Sequence, residues 1–182
     1  WLATLGPETS LKTIQSLPRE LSLGTDGSLR IDPLRELKLL RSEVSVFEDI
    51  MVSDSGEAKV SGENGIQKIT ELKGDSFEIR ITIDRAAAER RRFGFEFFSN
   101  QRLEGLAVLI CPVTGMLCVG ETEAPFSVAD LPEREDVDLQ IFIDTYLVEV
   151  FVNSREALLT AHFGYRDGGQ DFNAYGFFGR GT

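Results

Sequence analysis

The dominant hydrophobic period along this chain is two. Phe77, Ile79, Ile81 and Ile83 alternate with Glu78, Arg80, Thr82 and Asp84, which predicts a strand with one buried and one wet face. Phe93, Phe95 and Phe97 alternate with Gly94 and Glu96 in the same way. Val137, Leu139, Ile141 and Ile143 share one face of a run at 137–143. In the run at 147–153, Val148, Val150 and Val152 share one face, and Leu147, Glu149 and Phe151 the other. Asp144-Thr145-Tyr146 lies between those two runs and predicts a hairpin.

Further strands are expected at 18–23, 28–31, 43–52, 65–73, 105–111, 116–120, 156–163 and 172–178, separated by Gly- and Asp-rich turns such as Gly24-Thr25-Asp26-Gly27 and Asp167-Gly168-Gly169. Helical periodicity is confined to 34–41 and 86–92, two turns at most in each. Many short strands at this spacing imply an all-β fold. The expected architecture is a two-sheet antiparallel β-sandwich, jelly-roll or concanavalin-like. It runs from 17 to 182, behind a short N-terminal connector at 1–16 that lacks periodicity and carries Gly6-Pro7.

Composition narrows the partners more than the fold. Hydrophobic residues make up 42% and charged residues 27% of the 182 residues, enough for a true core. The formal net charge of −11 argues against phosphate backbones and anionic membrane surfaces as partners. The opening Trp1-Leu2-Ala3-Thr4-Leu5-Gly6-Pro7 shows no basic-then-apolar leader, and a start at Trp1 suggests that an upstream segment has been removed.

Catalytic and metal chemistry find little support. The single histidine, His162, sits in an apolar strand pattern without a Cys or His at ligand spacing, so a structural histidine is expected. The glycine run Gly176-Phe177-Phe178-Gly179-Arg180-Gly181 precedes no helix that would cradle a phosphate. The acidic loop Asp167-Gly168-Gly169-Gln170-Asp171 is short of the oxygens a calcium loop supplies and reads as a turn. Glycoside hydrolysis needs two carboxylates across a sugar site. Neither Asp144 with Glu149 nor Glu20 with Glu36 is marked by its spacing as such a pair. The only Trp is Trp1, the tyrosines are Tyr146, Tyr165 and Tyr175, and most of the thirteen Phe residues occupy inward positions, which weakens a lectin reading.

Cys111 and Cys118 flank Pro112-Val113-Thr114-Gly115. A two-residue turn at 114–115 places them directly opposite each other, as a disulfide candidate. A four-residue loop at 112–115 instead places Cys118 opposite Leu109. Two small buried apolar residues are the plain alternative.

Two segments are more specific than a generic sandwich. One is Leu17-Pro18-Arg19-Glu20-Leu21-Ser22-Leu23, followed by Asp26-Gly27-Ser28-Leu29, Pro33-Leu34-Arg35-Glu36-Leu37 and Leu40-Arg41. The other is Leu139-Gln140-Ile141-Phe142-Ile143-Asp144 followed by Val148-Glu149-Val150-Phe151-Val152-Asn153. In this order, over nearly the whole chain, they resemble the C-terminal module of family-32 glycoside hydrolases, the invertases, inulinases, levanases and related fructosyltransferases. The stretch Gly120-Glu121-Thr122 departs from the family's usual Asp-Arg-Thr.

The resemblance implies a domain that is not itself catalytic. The family's nucleophile, its Arg-Asp-Pro aspartate and its acid Glu belong to motifs of a separate five-bladed propeller. None of those motifs occurs here: Arg166-Asp167 is followed by Gly168, and Ile110 and Leu117 precede the cysteines. No catalytic residue, metal or cofactor is therefore expected. The implied partner is the catalytic β-propeller of the same parent protein, with fructan or sucrose-type carbohydrate as a further partner. Arg19, Glu20, Glu36, Arg41 and Glu149 are the candidate domain-interface residues. Glu149 points away from the valine face and is expected to meet an arginine, Arg41 being one candidate. An extracellular or secreted setting is expected, with a cytoplasmic one open. A fructan-binding module is the alternative role.

Overall fold

A computed structural model describes residues 2–4, 13–48, 50, 66–71, 76–88, 92–97, 105–145, 147–161 and 173–179. Fourteen strands follow one another: β1 (Leu2–Thr4), β2 (Thr13–Gln15), β3 (Arg19–Leu23), β4 (Leu29–Pro33), β5 (Ile66–Glu71), β6 (Ser76–Ile83), β7 (Arg92–Phe97), β8 (Leu106–Cys111), β9 (Met116–Val119), β10 (Thr122–Pro125), β11 (Val137–Asp144), β12 (Leu147–Val152), β13 (Glu156–Ala161) and β14 (Asn173–Gly179). Among the described residues, helix is limited to one α-turn, α1 (Arg85–Ala88), and 3-10 turns at Arg35–Leu40 and Val128–Asp130.

The strands form a six-stranded sheet in the order β10-β9-β8-β7-β14-β5 and a four-stranded sheet in the order β13-β12-β11-β6, with every pairing antiparallel. The two-stranded pieces β1-β2 and β3-β4 stand apart from both. Period two builds the core. Val137, Leu139, Ile141 and Ile143 of β11 and Val148, Val150 and Val152 of β12 point inward from the four-stranded sheet. They share one cluster with Phe93 and Phe97 of β7, Val108 and Ile110 of β8, and Leu117 and Val119 of β9. Each such side chain contributes about 1.5–3 kcal/mol through removal from water. The expected sandwich is thus the fold observed.

Gly94 is required where it stands. A Cβ there would fall 2.0 Å from the Val108 carbonyl oxygen, so only glycine lets β7 and β8 approach.

Two local expectations need correction. The run at 43–52 was expected as a strand. Residues 41–48 instead form irregular, exposed chain, as is Ile50. Among the described residues, their Val-Ser-Val alternation pairs with no strand. The edge strand β10 was not expected, because Glu121-Thr122-Glu123 carries no apolar alternation and only Ala124 turns inward. For Cys111 and Cys118, the second of the two registers left open by the sequence is the one observed. Residues 112–115 form a four-residue loop closed by Gly115 at φ 65°, so Cys111 faces Met116 and Cys118 faces Leu109. The two thiols are free, their sulfurs 3.8 Å apart along the diagonal. Burial, followed by the neighbouring Cys111, pushes the Cys118 thiol up to about 12.

His162, Tyr146, Tyr165, Trp1 and the acidic loop at 167–171 lie outside the described residues. Residues 176–179 of the C-terminal glycine run belong to strand β14 and form no phosphate loop.

Candidate functional site

Strand β12 is buried on both faces. Its valines enter the core, while Glu149 and Phe151, on the opposite face, are each 3% exposed. What covers them is the segment that enters and forms β3. The Leu17 N–H donates to Glu149 Oε2 at 2.8 Å, and Arg19 Nε donates to Glu149 Oε1 at 2.9 Å. Arg19 Nη2 reaches the same oxygen, so the guanidinium fork closes on the carboxylate. The Arg19 guanidinium also lies 5.5 Å from the Phe151 ring centroid, and Phe151 meets Phe142 edge-on at 6.0 Å. A buried charge is tolerable only when paired and hydrogen-bonded, and Glu149 has three donors.

The strap formed by 17–41 is held elsewhere by the same chemistry. Glu20 accepts from the Arg35 backbone N–H at 3.0 Å and from Arg35 Nε and Nη2 at 2.7 and 2.8 Å. Those hydrogen bonds hold the Glu20 carboxyl down at about 2. The Asp26 carboxyl is likewise at about 2, through the Ser28 hydroxyl and N–H. Arg41 pairs with Glu78 on β6, and Gln140 donates to the same carboxylate at 2.7 Å. Burial pushes Glu78 up, but Arg41, together with Gln140 and Arg80, outweighs it and leaves the group below its ordinary value. The Ile31 N–H donates to the Ser154 carbonyl at 2.8 Å, and Ser154 Oγ donates to Asp32 Oδ1 at 2.5 Å. Asn153 and Ser154 adopt positive φ, 46° and 54°, in the β12–β13 turn that meets β4.

Of the five sequence-derived interface candidates, the structure brings two together. Arg19 and Glu149 are partners, so Arg41 is not the arginine that Glu149 meets. Glu20 and Arg41 bind within the chain, to Arg35 and Glu78, and Glu36 lies on the exposed 3-10 turn. Glu78, Arg35 and Asp32 were missed; each reads in sequence as an ordinary wet position. Asp144 is exposed on β11, while Glu149 is held by Arg19. Among the described residues, no group of three or more His, Cys, Asp or Glu side chains is placed to hold a metal ion.

The outer surface of this strap differs in kind. Among the described residues, nine of the ten large hydrophobic side chains exposed to solvent lie between Leu21 and Ile50. Leu39 is 84% exposed, Leu40 78% and Phe47 51%. Arg19 and Arg41 of the strap turn onto carboxylates of the sandwich, while Leu21, Leu23, Leu39 and Leu40 face outward.

Residues 36–178 match the profile of the family described as "Glycosyl hydrolases family 32 C terminal". The chain is 29% identical over 152 residues to a sucrose-6-phosphate hydrolase of Vibrio alginolyticus, spanning 81% of this chain and 26% of that protein. The solved structure of sucrose-6-phosphate hydrolase from Lactobacillus gasseri superposes with a TM-score of 0.52 at 20% identity, over 90% of this chain and 33% of that one, a likeness of fold. The chain thus spans about a quarter to a third of the length of these relatives.

Proposed function

The chain belongs to glycosyl hydrolase family 32 as one of its C-terminal domains, and from this premise we propose that it docks on and stabilises the catalytic domain of a β-fructoside-hydrolysing enzyme. The observation that carries the proposal is the outward apolar surface of residues 21–50. Soluble surfaces rarely leave so many large apolar side chains together unless another surface covers them. The rest of the parent enzyme is the occupant, since relatives of this chain are about three times its length.

In this reading Arg19, Glu20, Arg41 and Glu149 fix the strap so that its apolar side faces the partner, and Glu36 lies at the rim. Residues 1–16 lead into the sandwich from the catalytic domain. The parent reaction is hydrolysis of a terminal β-fructofuranosyl bond in a sucrose-type substrate. The names of the relatives favour a substrate phosphorylated on its sugar, and all catalytic groups come from the other domain.

The test is the double variant Leu39→Ser/Phe47→Ser in the parent enzyme. Its melting temperature should fall by several degrees, because desolvation of both side chains at the interface is lost. An unchanged melting temperature overturns the docking role.

A further inference from the structure

A trough of about 420 Å³ opens on the outer face of the four-stranded sheet, beside the strap. This is within the range of small-molecule clefts. Cross-strand pairing sets its floor: Arg80 of β6 lies opposite Gln140 of β11, and Thr82 opposite Asp138. Asp32 of β4 and Ser154 of the β12–β13 turn form one wall, locked together by the Ser154–Asp32 hydrogen bond.

From these observations we infer that the trough binds a neutral, polyhydroxylated ligand, an oligosaccharide. A sugar hydroxyl both donates and accepts. The floor offers donors beside an acceptor at the Arg80–Gln140 step and acceptors at the Thr82–Asp138 step. Thr82 Oγ1 donates to Asp138 Oδ1 at 2.6 Å, leaving Oδ2 as an acceptor. Gln140 uses its amide N–H on Glu78, leaving its carbonyl oxygen. The exposed Arg80 supplies the guanidinium donors. These groups stand on paired strands and are therefore preorganised, which lowers the ordering cost of binding.

Charge selects against the alternatives. Asp32, Glu135 and Asp138 line the trough against one guanidinium, so an anionic ligand is repelled. Its carboxylates do not converge as metal ligands do. The trough should therefore distinguish a neutral fructosyl chain from a sugar phosphate. The choice of probe rests on the proposed parent activity; the site itself does not.

The experiment is a titration of the 182-residue chain with an inulin-type trisaccharide, followed by backbone amide NMR shifts. Saturable shifts at residues 80, 82, 138–140 and 153–154 are expected in the millimolar range. Arg80→Ala should weaken binding about tenfold, the loss of one charge-assisted hydrogen bond. Glu121→Gln, in the β9–β10 turn of the other sheet, should leave binding unchanged. Sucrose 6-phosphate should give no saturable shift at the same sites. Absence of trisaccharide shifts at those residues, binding indifferent to Arg80→Ala, or equal binding of sucrose 6-phosphate would each overturn the inference. Shifts at the trough combined with an unchanged melting temperature of the docking variant would sustain this site while removing the docking role.

Discussion

The interior of the sandwich and the strap that crosses its outer face are stabilised by opposite means. Between the sheets, β11 and β12 meet β7, β8 and β9 through branched aliphatic and aromatic side chains without a buried charge among them. Over the outer face, the strap is held by Arg19–Glu149 and Arg41–Glu78, Arg35–Glu20 braces it from within, and its exposed leucines face away. An element stabilised by its own fold buries apolar surface against that fold. The strap is tied down by polar fasteners instead, which leaves its apolar surface free for another body. The two regions share strand β12, whose valines serve the first and whose Glu149 serves the second.

The largest effect should come from breaking the interior. Ile141→Ala removes a fully buried side chain at the centre of β11, and should cost about 3–4 kcal/mol through lost transfer energy and the cavity left behind. Urea denaturation checks this. The strap should be lost together with the sandwich, because it has no core of its own.

Glu149→Ala should break the strap while sparing the sandwich. It strips Arg19 of its carboxylate and leaves the Leu17 N–H without its acceptor. The expected loss is about 2 kcal/mol, below the range for fully buried pairs because Arg19 keeps 19% exposure. Hydrogen exchange should rise at the amides of β3 and β4 and stay slow in β11. Equal acceleration in both would dissolve the distinction between the regions. Glu149→Gln, which keeps an acceptor, should lose less.

How much of this was legible follows the same division. Alternation at 77–83, 93–97 and 137–153 marks the sandwich strands because one face is apolar and the other is not. Glu149 was also placed on the face opposite the valines. Its burial was not legible, since nothing in Val-Glu-Val-Phe says that a distant Arg19 crosses above it. Alternation misled at 43–48, where Val44 and Val46 are exposed and belong to no strand. It was silent at Thr122–Pro125, where a single Ala124 turns inward. Periodicity reports that a face is apolar; it does not report which body covers it.

Acid should loosen the strap with a smaller effect. The Glu20 and Asp26 carboxyls lie at about 2 in the fold, against ordinary values of 4.5 and 3.8. A group depressed by folding contributes stability above its unfolded value, and that contribution is lost as pH falls through the folded one. Exchange protection of residues 19–33 should therefore decline between about pH 4.5 and 2, without gain or loss above that window from these two groups. Asp26 is exposed and Glu20 partly so, and salt should therefore blunt the effect. A hairpin equally protected at pH 2 and pH 6 would show that Arg35 and Ser28 do not hold it.

The smallest effect sharpens the comparison most. Leu39→Ser and Phe47→Ser, made in the 182-residue chain alone, should each change stability by less than about 0.5 kcal/mol, because surface substitutions away from packed contacts do little. Conventional core logic, applied to a Leu and a Phe, would predict losses several times larger. If denaturation shows such losses, the side chains are packed within the chain, and the outward surface of the strap is not free. If the variants are silent in the chain but lower the melting temperature of the parent enzyme, the same two side chains act only across the junction. Their apolar character is then a property of the complete protein, carried on a segment that this domain fastens in place with charges.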